Sequence, residues 1–243
     1  MYRCSRHGSQ NETAMLEHAA ELECIRLCPL DLQDHDSEQM AILDRNKDVS
    51  IVSIDLDRHQ AQFSPVYKIG MQINSIIWNE TSNILATNSE SMISIYHCPG
   101  APFIDIDLLP DTIEVLHLDN YDGAGAALSS FHGASISIKK NDGRNLKFLL
   151  KQDPSMLYEN SKLLNWKECY RYCRYVDTLH SWTSLACLAL KFDNYEMAEY
   201  ALVETRKVDK VEMIKHIRQL PDGEVGLSSS RDVPCNLMLG CKN

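Results

Sequence analysis

The 243-residue sequence predicts a β-plus-α chain. About three degenerate blades of a partial WD40-like β-propeller are followed by α-helical hairpins of a TPR-like solenoid. Two observations predict this. Short β-prone runs between Glu23 and Lys151 recur at a near-constant interval. Beyond Pro154, apolar residues recur at spacings of three and four, the period of a helix face.

The repeat is the more informative of the two. Leu43-Asp44-Arg45-Asn46 leads to Ile51, Leu85-Ala86-Thr87-Asn88 to Ile93, and Leu128-Ser129-Ser130-Phe131 to Ile136, each at the same offset. Both anchors step by 42 and then by 43 residues. A period of roughly 40–45 residues is that of a four-stranded propeller blade. Cys24–Cys28, Met40–Leu43 and Val49–Ile54 read as strands, and Ile93-Ser94-Ile95 and Ile136-Ser137-Ile138 as alternating strands of two further units. The Gly-His and Trp-Asp dipeptides of regular blades are absent. The competing architecture is an antiparallel sandwich, and the period favours the propeller. Propellers close with roughly four to eight blades, so this chain reads as the end of one.

The helices follow. Trp166, Cys169, Tyr170, Cys173 and Val176 fall on one face, as do Trp182, Leu185, Ala186 and Ala189. Asn194–Ala201 reads as a third helix, and Val208, Val211, Ile214, Ile217 and Leu220 mark a fourth, stopped by Pro221. The expected organisation is a poorly ordered segment or short helix over 1–21, with Ala14–Leu22 as the helical candidate. Blades then span 22–152, helical hairpins 153–221 and a disordered tail 222–243. Asp153 is available as the cap that opens the helical part.

Composition narrows function. A net charge of −10 argues against nucleic acid as the main partner, since phosphate binding needs a basic face. No apolar run is long enough for membrane insertion, and no secretory signal opens the chain. Nine cysteines, an odd number without framework spacing, predict reduced thiols in a reducing compartment.

No motif predicts an enzyme, a cofactor or a metal. Asp44-Arg45-Asn46-Lys47-Asp48 begins like a calcium loop, but Val49 stands where the loop needs Gly and Asp55 where it needs Glu. A turn between two strands accounts for it better. Cys169, Cys173 and His180 approach zinc-ligand spacing. A second pair would have to come from Cys24 and Cys28, or Cys4 and His7, in other segments, and core filling is the simpler reading. Phosphate loops, nucleophile elbows and paired helical histidines are missing. Trp166, Tyr170, Trp182 and Tyr195 are the candidate interaction or packing residues, because aromatics dominate both hairpin cores and binding hot spots. Arg171, Arg174, Lys207 and Lys210 read as solvated helix faces.

Several ordered segments carry a family resemblance. They include Asp44-Arg45-Asn46-Lys47-Asp48, Trp78 followed by Asn83-Ile84-Leu85, Tyr96-His97-Cys98-Pro99 and Asp107-Leu108-Leu109-Pro110. Trp166 with Tyr172-Cys173-Arg174-Tyr175-Val176, Ala186-Cys187-Leu188-Ala189, Ala198-Glu199-Tyr200-Ala201, Val208-Asp209-Lys210-Val211 and Leu220-Pro221 continue the series. Together, over residues 22–221, they resemble the WD-repeat subunits of the intraflagellar transport complex B. The resemblance implies a second propeller running into a solenoid, and a non-enzymatic scaffold in trains that carry cargo along ciliary microtubules. It implies other complex B subunits as partners, and the cilium, basal body and cytoplasm as locations. It supplies no catalytic residues. The family has two propellers and helices that continue well past the position of Leu220, so the resemblance implies a fragment or truncated form. A vesicle-coat or sorting-complex subunit shares the architecture and is the alternative. Open blades with uncharged runs at Ile73–Trp78 and Ala134–Ile138 predict self-association.

Overall fold

The computed structural model describes residues 2–4, 14–16, 18–29, 38–56, 61–117 and 126–219. They form two compact units. Met1–Gly100 with Glu114–Ser155 is the first, and Ala101–Ile113 with Met156–Asn243 the second.

The first unit consists of antiparallel sheets. Strands β1 (Tyr2–Cys4) and β2 (Ala14–Leu16) pair as a separate ribbon. The short helix expected over Ala14–Leu22 is therefore strand at both its ends, since β3 begins at Leu22. Pairing with a distant partner overrides a weak local helical preference there. The first large sheet runs β3 (Leu22–Leu27), β4 (Glu38–Asp44), β5 (Val49–Leu56) and β6 (Ala61–Phe63), with β7 (Tyr67–Gly70) also on β5. Its middle strands are buried on both faces. Met40, Ile42, Val52 and Ile54 form one core cluster. Ala41, Leu43, Val49 and Ile51, which alternate with them, are also buried. Two buried faces are why Met40–Leu43 reads as an unbroken apolar run. The segment resembling a calcium loop is the turn joining β4 to β5. Asp44 Oδ1 accepts from the Asp48 N–H at 3.0 Å, and Lys47 adopts φ 65°.

The second sheet runs β8 (Ser75–Trp78), β9 (Leu85–Asn88), β10 (Met92–Tyr96) and β11 (Ile113–His117). The third runs β12 (Ala127–His132), β13 (Ser135–Lys139) and β14 (Asn145–Leu149). One core joins them: Ile84, Ala86, Ile93 and Ile95 from the second sheet meet Leu128, Phe131, Ile136 and Ile138 from the third. The repeat anchors Leu43, Leu85 and Leu128, and Ile51, Ile93 and Ile136, are all buried residues of adjacent antiparallel strands. They recur in burial, not in register. Leu43 faces Val49, beside its turn, whereas Leu85 faces Tyr96, at the far end of its hairpin. Asn79, fully buried, ties the two sheets together. Its side chain donates to the Gly133 carbonyl at 3.0 Å and accepts from the Thr81 N–H and hydroxyl.

The second unit holds helices α1 (Ser155–Lys162), α2 (Trp166–Val176), α3 (Leu179–Lys191), α4 (Tyr195–Glu204) and α5 (Val208–Gln219). Asp153 Oδ1 accepts the Ser155 N–H just ahead of α1. Helix α3 is the centre: every residue from Ser181 to Ala189 is buried. It starts with a reciprocal Thr178–Ser181 capping box and packs on α2, α4 and a 3₁₀ segment, Ile106–Thr112. That segment lies between β10 and β11 in sequence yet folds with the helices, burying Leu108, Leu109 and Thr112. Nothing in the sequence between 22 and 152 announces it.

Ion pairs tie this segment and its N-cap, Asp105, to α5 and to the residue before it, Lys207. Lys207 pairs with Asp111 at 2.7 Å, and Lys210 pairs with both Asp105 and Asp107. Neither lysine is a solvated helix-face residue; their side chains are 23% and 15% exposed. Burial alone would lower the Lys210 ammonium; hydrogen bonds and charge from Asp105 and Asp107 outweigh it and hold it above its ordinary value. The sign is that of a cation stabilised by folding, so this contribution is complete at neutral pH and is lost only as alkaline pH passes the raised value. Asp105 is 3% exposed and Asp107 72% exposed. Chemical denaturation of Asp105→Ala is expected to show a loss on the order of 2 kcal/mol, because a charged group loses a buried partner. Asp107→Ala, removing the solvated carboxylate from the same lysine, is expected to cost less than about 1 kcal/mol. Equal losses would show that the pairing does not hold the segment.

Candidate interaction surface

The four aromatic candidates lie on α2, α3 and α4 of the second unit. Tyr170 meets Trp182 edge-on, with ring centroids 5.6 Å apart. Trp166 meets Phe192 edge-on at 6.0 Å. These contacts zip α2 to α3 along the stripe that the three-and-four spacing marks. Trp182 is 4% exposed, and its indole N–H donates to Asp177 Oδ1 at 3.3 Å. Trp166, Tyr170 and Tyr195 are half-buried, each presenting part of a ring to solvent. The Arg174 guanidinium sits over the Tyr170 ring, 5.9 Å from its centroid. Tyr195 donates its hydroxyl to Asp193 Oδ1 at 3.1 Å, and burial together with that carboxylate raises its pKa.

The cysteines between these rings belong to the core. Cys169 and Cys173 are fully buried. Cys169 donates to the Leu157 carbonyl and Cys173 to the Ser181 carbonyl, with sulfur–oxygen distances of 3.8 and 3.4 Å. Burial pushes the Cys169 thiol up to about 11 and raises that of Cys173 further, helped by its neighbour Cys169. Both stay protonated at neutral pH, the inert form. The His180 ring meets the Thr178 hydroxyl at 3.1 Å. Cys24 and Cys28 belong to the first unit, where the Cys28 thiol donates to Asn83 Oδ1. His7 lies outside the described residues.

Other apolar residues of this unit are more exposed than the four candidates. Tyr175 and Leu179 bracket the α2–α3 turn at 78% and 52% exposure, and Tyr200 and Val203 stand one turn apart on α4 at 55% and 53%. Their signal in the sequence is negative: each falls off the stripe that its helix buries. On the neighbouring flank of α4, Glu199 pairs with Arg218 and Lys215 of α5. The arrangement is a hairpin stack held by an aromatic seam, with exposed rings at its margins. Exposed aromatic rings of this kind are the side chains that dominate protein–protein hot spots. Truncating Trp182 to Ala is expected to cost ~3–5 kcal/mol in a denaturant melt, and Trp166→Ala clearly less, because only the first ring is wholly inside. Equal costs would place Trp166 in the core rather than at its margin.

Comparison with known proteins agrees with the two-part architecture. A family model described as the IFT80 second beta-propeller matches residues 5–152, and one described as the IFT80/172/WDR35/WDR19 TPR domain matches residues 181–230. Two curated relatives, both called intraflagellar transport protein 80 homolog, come from Mus musculus and Rattus norvegicus. They are 27% and 26% identical to this chain over 210 residues, which is 86% of the chain and 26% of each relative. The chain thus spans about a quarter of the length of these relatives. Between the two protein classes that share this architecture, the matches fall on the side of intraflagellar transport rather than vesicle coats. With more than half its length matched by the propeller model, and the helices from α3 onward matched by the TPR model, the chain belongs to the IFT80 family.

Proposed function

We propose that the chain works as a non-enzymatic scaffold in intraflagellar transport, as part of a complex B subunit that supports cilium assembly and cargo movement along ciliary microtubules. The observation that carries this reading is the ordered match of one chain to a propeller model and then to a TPR model of the same family. The relatives that share its sequence are named for intraflagellar transport. In this reading the propeller sheets, and the helical hairpins with Ala101–Ile113 packed among them, act as two binding platforms for other complex B subunits. The half-buried rings of Trp166, Tyr170 and Tyr195 supply contacts on the helical platform. Self-association belongs to the same reading, although the apolar residues of the runs expected to drive it, Ile73, Ile76, Trp78, Ile136 and Ile138, are buried. The work of the chain is recognition rather than covalent chemistry, which fits thiols that burial keeps protonated. No helix among the described residues is long and apolar enough to cross a membrane. This reading expects the protein in the cilium, with pools at the basal body and in the cytoplasm.

Tagging the protein at its own locus in ciliated cells tests this. The expected result is label along the cilium and at its base, with complex B subunits recovered in the affinity eluate. Label confined to endomembranes, with coat subunits in the eluate, would overturn it.

A further inference from the structure

The third sheet carries a charge that the rest of the chain does not. Between Lys139 and Lys151 five basic residues stand against one acid, Asp142, in a chain whose net charge is −10. The strand register concentrates this charge. On β13 and β14, Lys139 lies opposite Asn145, Ser137 opposite Lys147 and Ser135 opposite Leu149. These residues share one face, opposite to the face that buries Ile136 and Ile138 and packs Phe148 on the core. Lys139 and Lys147 are thus diagonal neighbours on the outward face, and both are exposed. Leu149, two residues from Lys147 on the same face, is 72% exposed. Arg144 pairs with Asp142, whereas Lys139, Lys147 and Lys151 have no ion-pair partner among the described residues.

This basic face borders an open edge. The third sheet ends at β14, and among the described residues no strand pairs with its outer side. An edge strand presents a row of backbone donors and acceptors that will template another strand. Lys147, near the middle of β14, decides which strand. Antiparallel pairing of this edge with its own copy, centred on Lys147, would set the two ammonium groups directly opposite each other, a destabilising arrangement. A carboxylate at that position would instead be attracted, and an apolar residue two positions away would cover Leu149. We propose that the outer edge of β14 takes up an extended acidic segment of a partner protein as an added strand. Main-chain hydrogen bonds supply the pairing, and Lys139 and Lys147 supply the preference for acid over base. The inference deepens the scaffold reading by naming a surface and a partner class. It is read by direct binding, so its failure leaves the ciliary assignment standing.

The test uses the whole chain and a fluorescein-labelled peptide of ten residues, Glu-Thr-Val-Thr-Glu-Thr-Val-Thr-Glu-Thr, which sets Glu and Val in turn along one strand face, with binding followed by fluorescence anisotropy. A second peptide of the same sequence carries N-methyl groups on alternate amides, which removes the donors of one strand edge and keeps the charge. The first peptide is expected to bind, more weakly as salt rises. Lys139→Glu combined with Lys147→Glu is expected to weaken it by about tenfold or more while leaving the thermal melt unchanged, and Lys147→Arg to retain it. N-methylation is expected to weaken binding by about tenfold or more as well. Equal affinity for the N-methylated peptide, with heparin or phosphatidylserine vesicles competing equally well, would make the face a general anion patch and overturn the proposal. No binding of the first peptide would also overturn it. So would sedimentation showing a dimer that Lys147→Glu dissociates, because a second copy would then occupy the edge.

Discussion

The burial of one sheet face against another is the constraint on which the first unit depends. A sheet in this chain cannot leave an apolar face in water, and β9, β10, β12 and β13 solve the problem for one another. Phe131, Ile136 and Ile138 enter from one sheet, Ile93, Ile95 and Ala86 from the other, and all six are fully buried. The polar groups at the rim obey the same geometry. Asn79 and Asn88 reach across to carbonyls of Gly133 and Ala126, and the Glu80 N–H reaches that of Phe131. These bonds form only when the sheets are in their packed register, so they set alignment while the apolar cluster supplies the driving force.

The helical unit applies the same rule around a single helix. Helix α3 is buried on all sides, so other elements must cover every flank, and α2 and α4 cover only part of it. The 3₁₀ segment Ile106–Thr112 also packs on α3, and Lys207 and Lys210 hold its aspartates. A stretch of chain that leaves β10 and returns to β11 therefore completes the core of another unit. The margins of that unit retain exposed Tyr175, Tyr200 and half-buried Trp166, so packing and recognition use one set of aromatic residues to different depths.

Much of this was legible in the sequence because periodicity reports burial. The spacing of Trp166, Cys169, Tyr170 and Cys173 gave the buried face of α2, and the 42- and 43-residue steps gave the buried strands of each sheet. What periodicity does not report is register. Leu43 and Leu85 occupy different places in their hairpins, since both faces of a central strand are apolar and a slip leaves the pattern unchanged. Helix ends were also hidden. Several turns between helices use a left-handed Leu164, Asp177, Asp193 or Arg206 where Gly is the usual sign. The pairing of Asp105, Asp107 and Asp111 with α5 was invisible because it links residues about a hundred positions apart. The aromatic candidates were found as a class, but their depth was not, because a three-and-four spacing marks a face without saying how far a partner covers it.

The central claim is that the second and third sheets share one core and unfold as one body. Native-state hydrogen exchange on the wild type and on Phe131→Ala tests it most directly. The account predicts a loss of ~3–5 kcal/mol, seen equally at amides of β12 and β13 and at those of β9 and β10 in the other sheet. Faster exchange confined to β12, β13 and β14, with β9 and β10 protected as before, would contradict it.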